Sequence, residues 1–196
     1  MMKKVPEKTI LRLGLVEVGR IGEVAVRVVA ANLQAVVGMP VDILDPRPLP
    51  AKTFQEHCHQ YDAGLIVKAL SELPFPQHSR ILALTDVDLS IPILTYVFGE
   101  AEVGGKVAVV SGFRLRHNDD NTPAPFERYY ERLAKVALHE VAHTLSLYHC
   151  ETPGCLMQFT ARVHQLDQLD ILFCERCGFA LRESLRILTS SPPIAT

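Results

Sequence analysis

Three histidines between positions 139 and 149 restrict how the surrounding chain can fold. His139 and His143 lie four residues apart in the string His-Glu-Val-Ala-His. Residues four apart lie on the same face of a helix, with their Cβ atoms about 6 Å apart. Both imidazoles can therefore bind one metal ion. His149 follows six residues later, and a continuing helix would carry it about 9 Å along the axis. For the three histidines to meet, the chain must leave the helix near Ser146 and fold back.

Glu140 stands next to the first of these histidines, beside the predicted metal without being one of its ligands. Three imidazoles, from His139, His143 and His149, leave the fourth zinc position open for water, as in catalytic sites. Zinc lowers the pKa of a bound water to about 7, and a carboxylate can take the proton while water attacks a carbonyl. The motif therefore predicts a zinc-bound water that Glu140 activates.

Four of the five cysteines lie in the last quarter of the chain, in two pairs with zinc-knuckle spacing: Cys150 with Cys155 and Cys174 with Cys177. Four thiolates complete a tetrahedral zinc site and leave no position open, which is typical of a structural site. The alternative is that they are reduced cysteines of the core. The odd count argues against a disulfide framework. Two zinc ions per chain are predicted, one catalytic and one structural.

The two predicted sites are adjacent in the sequence, because His149 is followed directly by Cys150. A closed thiolate site would fix the chain just after the turn and so position the third histidine. We therefore expect loss of the cysteine site to weaken metal binding at the histidines.

Strands alternating with helices indicate an α/β fold with a mainly parallel sheet. Apolar runs predict strands at 10–16, 41–44, 80–85 and 106–111, with a short edge strand at 96–98. Helical periodicity predicts helices over 22–36 and 63–73, and a long one from Phe126 that carries the histidines. The proline-rich run 45–50 is predicted to be a loop. We expect a single domain, 1–196, with an upper α/β part at 1–146 and a smaller zinc-bearing lobe at 147–196.

Composition limits the partners and the compartment. The net charge of −2 and the 48% content of hydrophobic residues suit a globular chain and provide no basic surplus for nucleic acid. Neither a membrane span nor a leader is expected, since Pro6, Glu7, Lys8 and Arg12 interrupt any N-terminal apolar run. We expect a cytoplasmic protein that binds neither nucleic acid nor membrane. The oligomeric state stays open.

The segment from His139 to Cys177 resembles the signature of the archaemetzincin family, in which the long histidine motif runs into Cys-x4-Cys-x-Met and a later Cys-x-x-Cys. The stretch 82–115 is also similar to this family. The resemblance implies a metzincin-like fold with a twisted, mainly parallel sheet, a long active-site helix and a small zinc-bearing C-terminal lobe. It also implies zinc metallopeptidase activity on a peptide or protein substrate. Met157 would lie in a turn beneath the metal. The substrate would lie along an edge strand near Tyr96, Val97, Phe98 and Gly99.

The sequence departs from the family pattern at two positions near the site. Ser146 stands where the signature has glycine, which tolerates positive φ in a sharp turn. Phe159 stands where some metzincins have a tyrosine, and its ring cannot donate a hydrogen bond to an oxyanion. The alternative function is a non-catalytic peptide-binding module whose histidine site is empty or unproductive. A zinc-ribbon nucleic-acid binder is disfavoured by the net charge.

Overall fold

The computed structural model describes residues 11–190. Ile10, where the first strand was predicted to begin, lies outside the described residues. So do both ends of the predicted domain and most of the N-terminal segment for which no leader was expected. In chain order the strands are β1 (Leu13–Val18), β2 (Val41–Arg47), β3 (Phe54–Gln55), β4 (Gln60–Asp62), β5 (Arg80–Thr85), β6 (Leu89–Ile91), β7 (Leu94–Val97), β8 (Gly99–Ala101) and β9 (Val107–Ser111). The helices are α1 (Glu23–Val37), α2 (Ala63–Ser71), α3 (Phe126–Thr144), α4 (Val163–Asp167) and α5 (Glu175–Ser190).

The main sheet has the strand order β2-β1-β5-β9-β8. Its first four strands are parallel, and β8 joins β9 in the antiparallel sense. Strands β5 and β9 are almost wholly buried, because helices cover both faces of the sheet: α1 and α3 pack on one face and α2 on the other. Continuous apolar strands are typical of such doubly covered sheets. The predicted α/β class with a mainly parallel sheet and a long helix is confirmed.

The predicted edge strand at 96–98 was right for Tyr96 and Val97, which end an edge strand of a smaller sheet, and wrong for Phe98, because the chain changes sheets there. Val97 ends β7 in a smaller sheet of order β3-β4-β6-β7, and Gly99 begins β8 at the edge of the main sheet. Phe98 connects the two with its side chain buried and its carbonyl accepting a hydrogen bond of 2.8 Å from the Ser111 amide. Gly99–Ala101 is therefore one edge of the main sheet, and β2 is the other; below, the free edge means that at β8.

The predicted loop at 45–50 was wrong at its start, since β2 continues through Pro46 to Arg47. Proline has no N–H to donate, so in sheets it is confined to edge strands and bulges. Strand β2 is an edge strand, and its pairing with β1 shifts register between Val16 and Val18. Pro46 thus occupies a place where a proline costs no ladder hydrogen bond.

A buried arginine connects the long helix α3 to its neighbouring segments. Arg132 forms a paired interaction with Asp167 of α4, at 2.7 Å to each carboxylate oxygen. The same guanidinium donates to the carbonyls of Leu115 and His117 and to the side chain of Asn118. These bonds attach α4 and the 115–118 segment to the helix that carries the histidines.

Within residues 11–190, no helix is long and apolar enough to cross a membrane.

Candidate metal centres and active-site cleft

The three predicted histidines come together at the end of α3. A ligand nitrogen of each imidazole lies within 4.8 Å of those of the other two. The ring centroids of His139 and His143 are 4.6 Å apart, and the ring of His149 lies 5.3 Å and 4.9 Å from them. His149 is exposed, whereas His143 is buried. One side of the cluster is therefore open to solvent.

Backbone carbonyls orient two of the three rings. The Nδ1 of His139 lies 2.8 Å from the Leu156 carbonyl oxygen, and the Nδ1 of His143 lies 2.7 Å from that of Leu147. Since a carbonyl can only accept, each Nδ1 must carry the proton. In the neutral ring the Nε2 then has a free lone pair. Metal-binding histidines commonly donate their second ring N–H in this way.

The two Nε2 atoms of His139 and His143 lie only 3.0 Å apart. Burial, reinforced by the neighbouring His143, lowers the pKa of His139 to about 3, and burial also lowers the pKa of His143. Both rings are thus neutral near pH 7, and two lone pairs face each other at close range. Such an arrangement is repulsive without a cation between the nitrogens. The histidine cluster therefore fits a zinc ion.

The four predicted cysteines form the second cluster, with their sulfur atoms within 4.8 Å of one another: Cys150, Cys155, Cys174 and Cys177. All four are free thiols. The Thr152 amide donates to the Cys150 sulfur at 3.4 Å, and the Arg176 guanidinium donates to it at 3.3 Å. Burial opposes ionisation, but these donors lower the pKa of Cys150 to about 6. A compact set of thiols with N–H donors fits a tetrahedral zinc site.

A turn at 155–158 joins the two clusters. It contains a thiol of the cysteine cluster, and its Leu156 carbonyl orients the His139 ring. Its Met157 carbonyl accepts a hydrogen bond of 2.8 Å from the Cys150 amide. The Met157 side chain is fully buried in the core, and its place beneath a metal stays a prediction. Sequence reasoning missed the Leu156 carbonyl, because a backbone acceptor leaves no signal in residue type.

Glu140 lies against the free edge of the main sheet, with 8% of its surface exposed. A methyl group at Gly99 would lie 2.6 Å from the Glu140 Cγ and 2.9 Å from the Val109 carbonyl oxygen. Only glycine therefore permits this close approach. Burial, and next the negative charge of Glu100, raises the pKa of Glu140 well above its ordinary value. A cation at the histidines would act in the opposite direction and favour the carboxylate.

A cleft of about 1070 Å³ opens in front of the histidines and Glu140. All four residues predicted to bind substrate line it: Tyr96, Val97, Phe98 and Gly99. The lining also includes Phe159, whose exposed ring lies 5.4 Å from that of His149 in an edge-on contact. The Tyr96 hydroxyl donates to the Ala161 carbonyl at 2.5 Å and so connects β7 to the segment that follows Phe159.

Comparisons with known proteins agree with this geometry. Residues 52–183 match the model of Peptidase family M54. An archaemetzincin of Archaeoglobus fulgidus is 34% identical over 157 residues, which cover 80% of this chain and 91% of the relative. The chain belongs to the archaemetzincin family.

Solved structures of this family share the fold. The crystal structure of the archaemetzincin of Methanopyrus kandleri superposes with a TM-score of 0.81 at 32% identity, covering 93% of this chain and 99% of that one. A zinc-dependent peptidase of Methanocorpusculum labreanum superposes with a TM-score of 0.77 at 28% identity, covering 86% and 99%. As an archaemetzincin, the protein is a zinc metallopeptidase.

The departure from the archaemetzincin signature at Ser146 is accommodated by the backbone. Ser146 adopts a φ of 67°, in the left-handed region. Its amide donates to the His143 carbonyl at 2.9 Å, and the Leu147 amide donates to that of Ala142 at 3.1 Å. These two bonds form a Schellman motif, which ends the helix and reverses the chain. Serine therefore makes the turn that brings His149 back, at the cost of a conformation that glycine adopts more easily.

We expect Ser146→Gly to stabilise the metal-free protein by about 1 kcal/mol, because glycine adopts positive φ without the steric cost of a Cβ. Urea denaturation followed by circular dichroism measures the change. The matched control is Ser71→Gly, at the exposed end of α2, which should destabilise by about 0.5–1 kcal/mol. Equal losses of stability in the two variants would show that the turn at Ser146 is unstrained.

We expect Gly99→Ala to lower kcat/KM for peptide hydrolysis about 100-fold, because the added methyl group displaces the Glu140 carboxylate by a fraction of an ångström or more. Zinc content should not change, since the atoms nearest to the added methyl group belong to Glu140 and Val109 and not to a histidine. The control is Gly64→Ala in α2, where the new methyl meets only a side-chain oxygen of Asp62, at 3.3 Å. Undiminished turnover in Gly99→Ala would mean that this contact does not position Glu140.

Proposed function

We propose that this archaemetzincin hydrolyses peptide bonds at a zinc centre held by His139, His143 and His149, with Glu140 as the base that activates water. The observation that carries the proposal is the pair of neutral imidazoles whose Nε2 lone pairs face each other 3.0 Å apart. Protein interiors avoid such a contact unless a cation lies between the nitrogens. The open, solvent-exposed side at His149 leaves room for water and substrate, as catalytic zinc sites require.

In this proposal the metal and Glu140 have separate tasks. A bound zinc ion would supply a Lewis acid, which polarises the peptide carbonyl and lowers the pKa of water. Glu140 accepts a proton from the attacking water and then delivers it to the leaving amine. Its side chain suits both steps because Gly99 and the sheet edge hold it at the cleft wall. The Phe159 ring donates no hydrogen bond, so oxyanion stabilisation would rest on a bound metal and on backbone donors.

We further propose that the substrate adds to the main sheet as a strand beside β8. The bond from the Ser111 amide to the Phe98 carbonyl sets the alternation of the ladder, so the main-chain groups of Gly99 and Ala101 face the free edge. Extended peptides bind exposed strand edges through such groups. Tyr96, Val97 and Phe98 then form the cleft wall beside the peptide.

The cysteine cluster is proposed to hold a second, structural zinc ion, which gives two ions per chain. Its four thiols leave no open position, and its N–H donors favour the thiolate form. The alternative function, a non-catalytic peptide-binding module, rested on Ser146 and Phe159. Since Ser146 adopts the positive φ that the turn needs, only Phe159 still favours it.

The test is to add zinc back to the metal-free protein in steps while peptide hydrolysis is measured. We expect two equivalents to bind and turnover to require occupancy of the histidine site. His149→Ala should bind one equivalent and hydrolyse nothing, whereas His57→Ala, at an exposed position outside the cleft, should behave like the wild type. A single zinc in the wild type, or no hydrolysis with both sites full, would favour the non-catalytic module.

A further inference from the structure

Glu100 lines the cleft at strand β8, and its carboxylate has no cationic partner among the described residues. Two other acidic residues of the wall are paired: Asp86 with Arg116 at 2.7 Å, and Asp119 with His164 at 2.5 Å. Within residues 11–190, the Glu100 side chain forms neither an ion pair nor a hydrogen bond. It is nevertheless half-buried, and burying a carboxylate without a partner costs free energy. A cation from outside the described chain would remove this cost.

The position of Glu100 in β8 determines which group could supply that cation. In the ladder with β9, Gly99 pairs with Val110 and Glu100 pairs with Val109. Val110 packs in the core on the α3 side, and Val109 packs in the core on the α2 side. Because side chains alternate along a strand, Gly99 faces Glu140 and Glu100 stands on the opposite face of the sheet.

A substrate strand beside β8 would bring one of its own side chains next to Glu100. The main-chain groups of Glu100 bond to β9, so on the free edge Glu100 occupies a non-hydrogen-bonded position. In antiparallel pairs, residues at such positions approach most closely, with Cα atoms about 4.5 Å apart and side chains on the same face. The peptide residue opposite Glu100 therefore places its side chain beside the carboxylate.

Resting on the proposed peptidase function, we infer that Glu100 is a specificity residue that selects lysine or arginine at the peptide position paired with it. The negative charge of Asp62, at the start of α2, also acts on Glu100 and, after burial, raises the pKa of its carboxyl group. Two acidic groups on this face of the sheet favour a basic side chain and disfavour an acidic one. A free α-amine is a poorer fit, because a chain terminus lies along the strand rather than on its face.

The experiment measures binding separately from turnover. Peptides that are acetylated and amidated at their ends carry one lysine at successive positions of a neutral sequence, with norleucine or glutamate as replacements. Their affinities for zinc-loaded Glu140→Gln protein are measured by fluorescence anisotropy. At one position lysine should bind roughly three- to ten-fold tighter than norleucine, as expected for a half-buried cross-strand ion pair.

Variants of Glu100, made in the same background, assign the preference. Glu100→Gln should abolish it, Glu100→Asp should retain part of it, and Glu100→Lys should reverse it in favour of glutamate. The matched control is Glu102→Gln, an exposed carboxylate just past the end of β8, which should keep the lysine preference.

The inference is overturned if no position prefers lysine, if the preference survives Glu100→Gln, if only peptides with a free α-amine bind better, or if no peptide binds. Hydrolysis of the same peptides by the zinc-loaded wild type tests the proposed function separately from the inference about Glu100. Cleavage of all peptides at equal rates would leave the proposed function intact and refute selection by Glu100. Lysine-dependent binding without any cleavage would support Glu100 and refute the peptidase mechanism.

Discussion

Replacing Glu140 with glutamine should lower kcat for peptide hydrolysis by roughly 10²–10⁴-fold, the range that general-base catalysis contributes. Glutamine has nearly the same shape, so it fills the buried space beside Gly99 without displacing the sheet edge. Its amide cannot accept the proton of the attacking water. Because Glu140 lies outside the set of three ligand nitrogens, both metal sites should keep their zinc.

The measurements for this variant are steady-state hydrolysis and zinc content by mass spectrometry. Glu127→Gln makes the same chemical change on the same helix, at an exposed position of its first turn outside the cleft, and should leave both quantities unchanged. Retained turnover in Glu140→Gln would refute the role of Glu140 as base. Loss of one zinc would instead identify Glu140 as a ligand.

The central strands β5 and β9 of the main sheet could be predicted from the sequence because they are mostly apolar. The runs at Arg80–Thr85 and Val107–Ser111 are buried on both faces, so they needed no alternating pattern to be recognised. Of the smaller sheet only the end of β7 was predicted, since strands of two to four residues such as Phe54–Gln55 are too short to show any period. The division of the chain at 146 stays a prediction.

The clustering of the three histidines was also predictable, because spacing on a helix and the turn at Ser146 follow from local geometry, and that of the four cysteines followed from their paired spacing. The supporting contacts were not predictable. The carbonyls of Leu156 and Leu147 orient the rings through backbone atoms, which any residue could supply. That Glu100 has no cationic partner within residues 11–190 depends on which side chains the fold brings near it, and residue type does not reveal this. Arg132 was missed for the same reason, since a lone arginine on a helix is usually solvated.

Replacing Cys174 and Cys177 with serine should weaken zinc binding at the histidines about 10–100-fold, although neither cysteine belongs to that site. This is the loss expected when groups that orient metal ligands are disturbed. Two connections carry the effect. His149 is followed directly by Cys150, and the turn at 155–158 places one thiol next to the Leu156 carbonyl that orients His139. Without the four-thiol site, metal binding no longer fixes the 149–150 segment or the turn at 155–158.

Cobalt substitution can report on the two sites separately, since thiolate-bound and imidazole-bound cobalt absorb differently, and chelator competition gives each affinity. Cys58→Ser is the matched control, because Cys58 is exposed and lies outside both clusters; its histidine site should bind as in the wild type. Circular dichroism separates loss of coupling from global unfolding. If the folded double variant keeps full affinity at the histidines, the turn at 155–158 holds its shape unaided, and the Met157–Cys150 hydrogen bond with the surrounding core is sufficient to position the ligands.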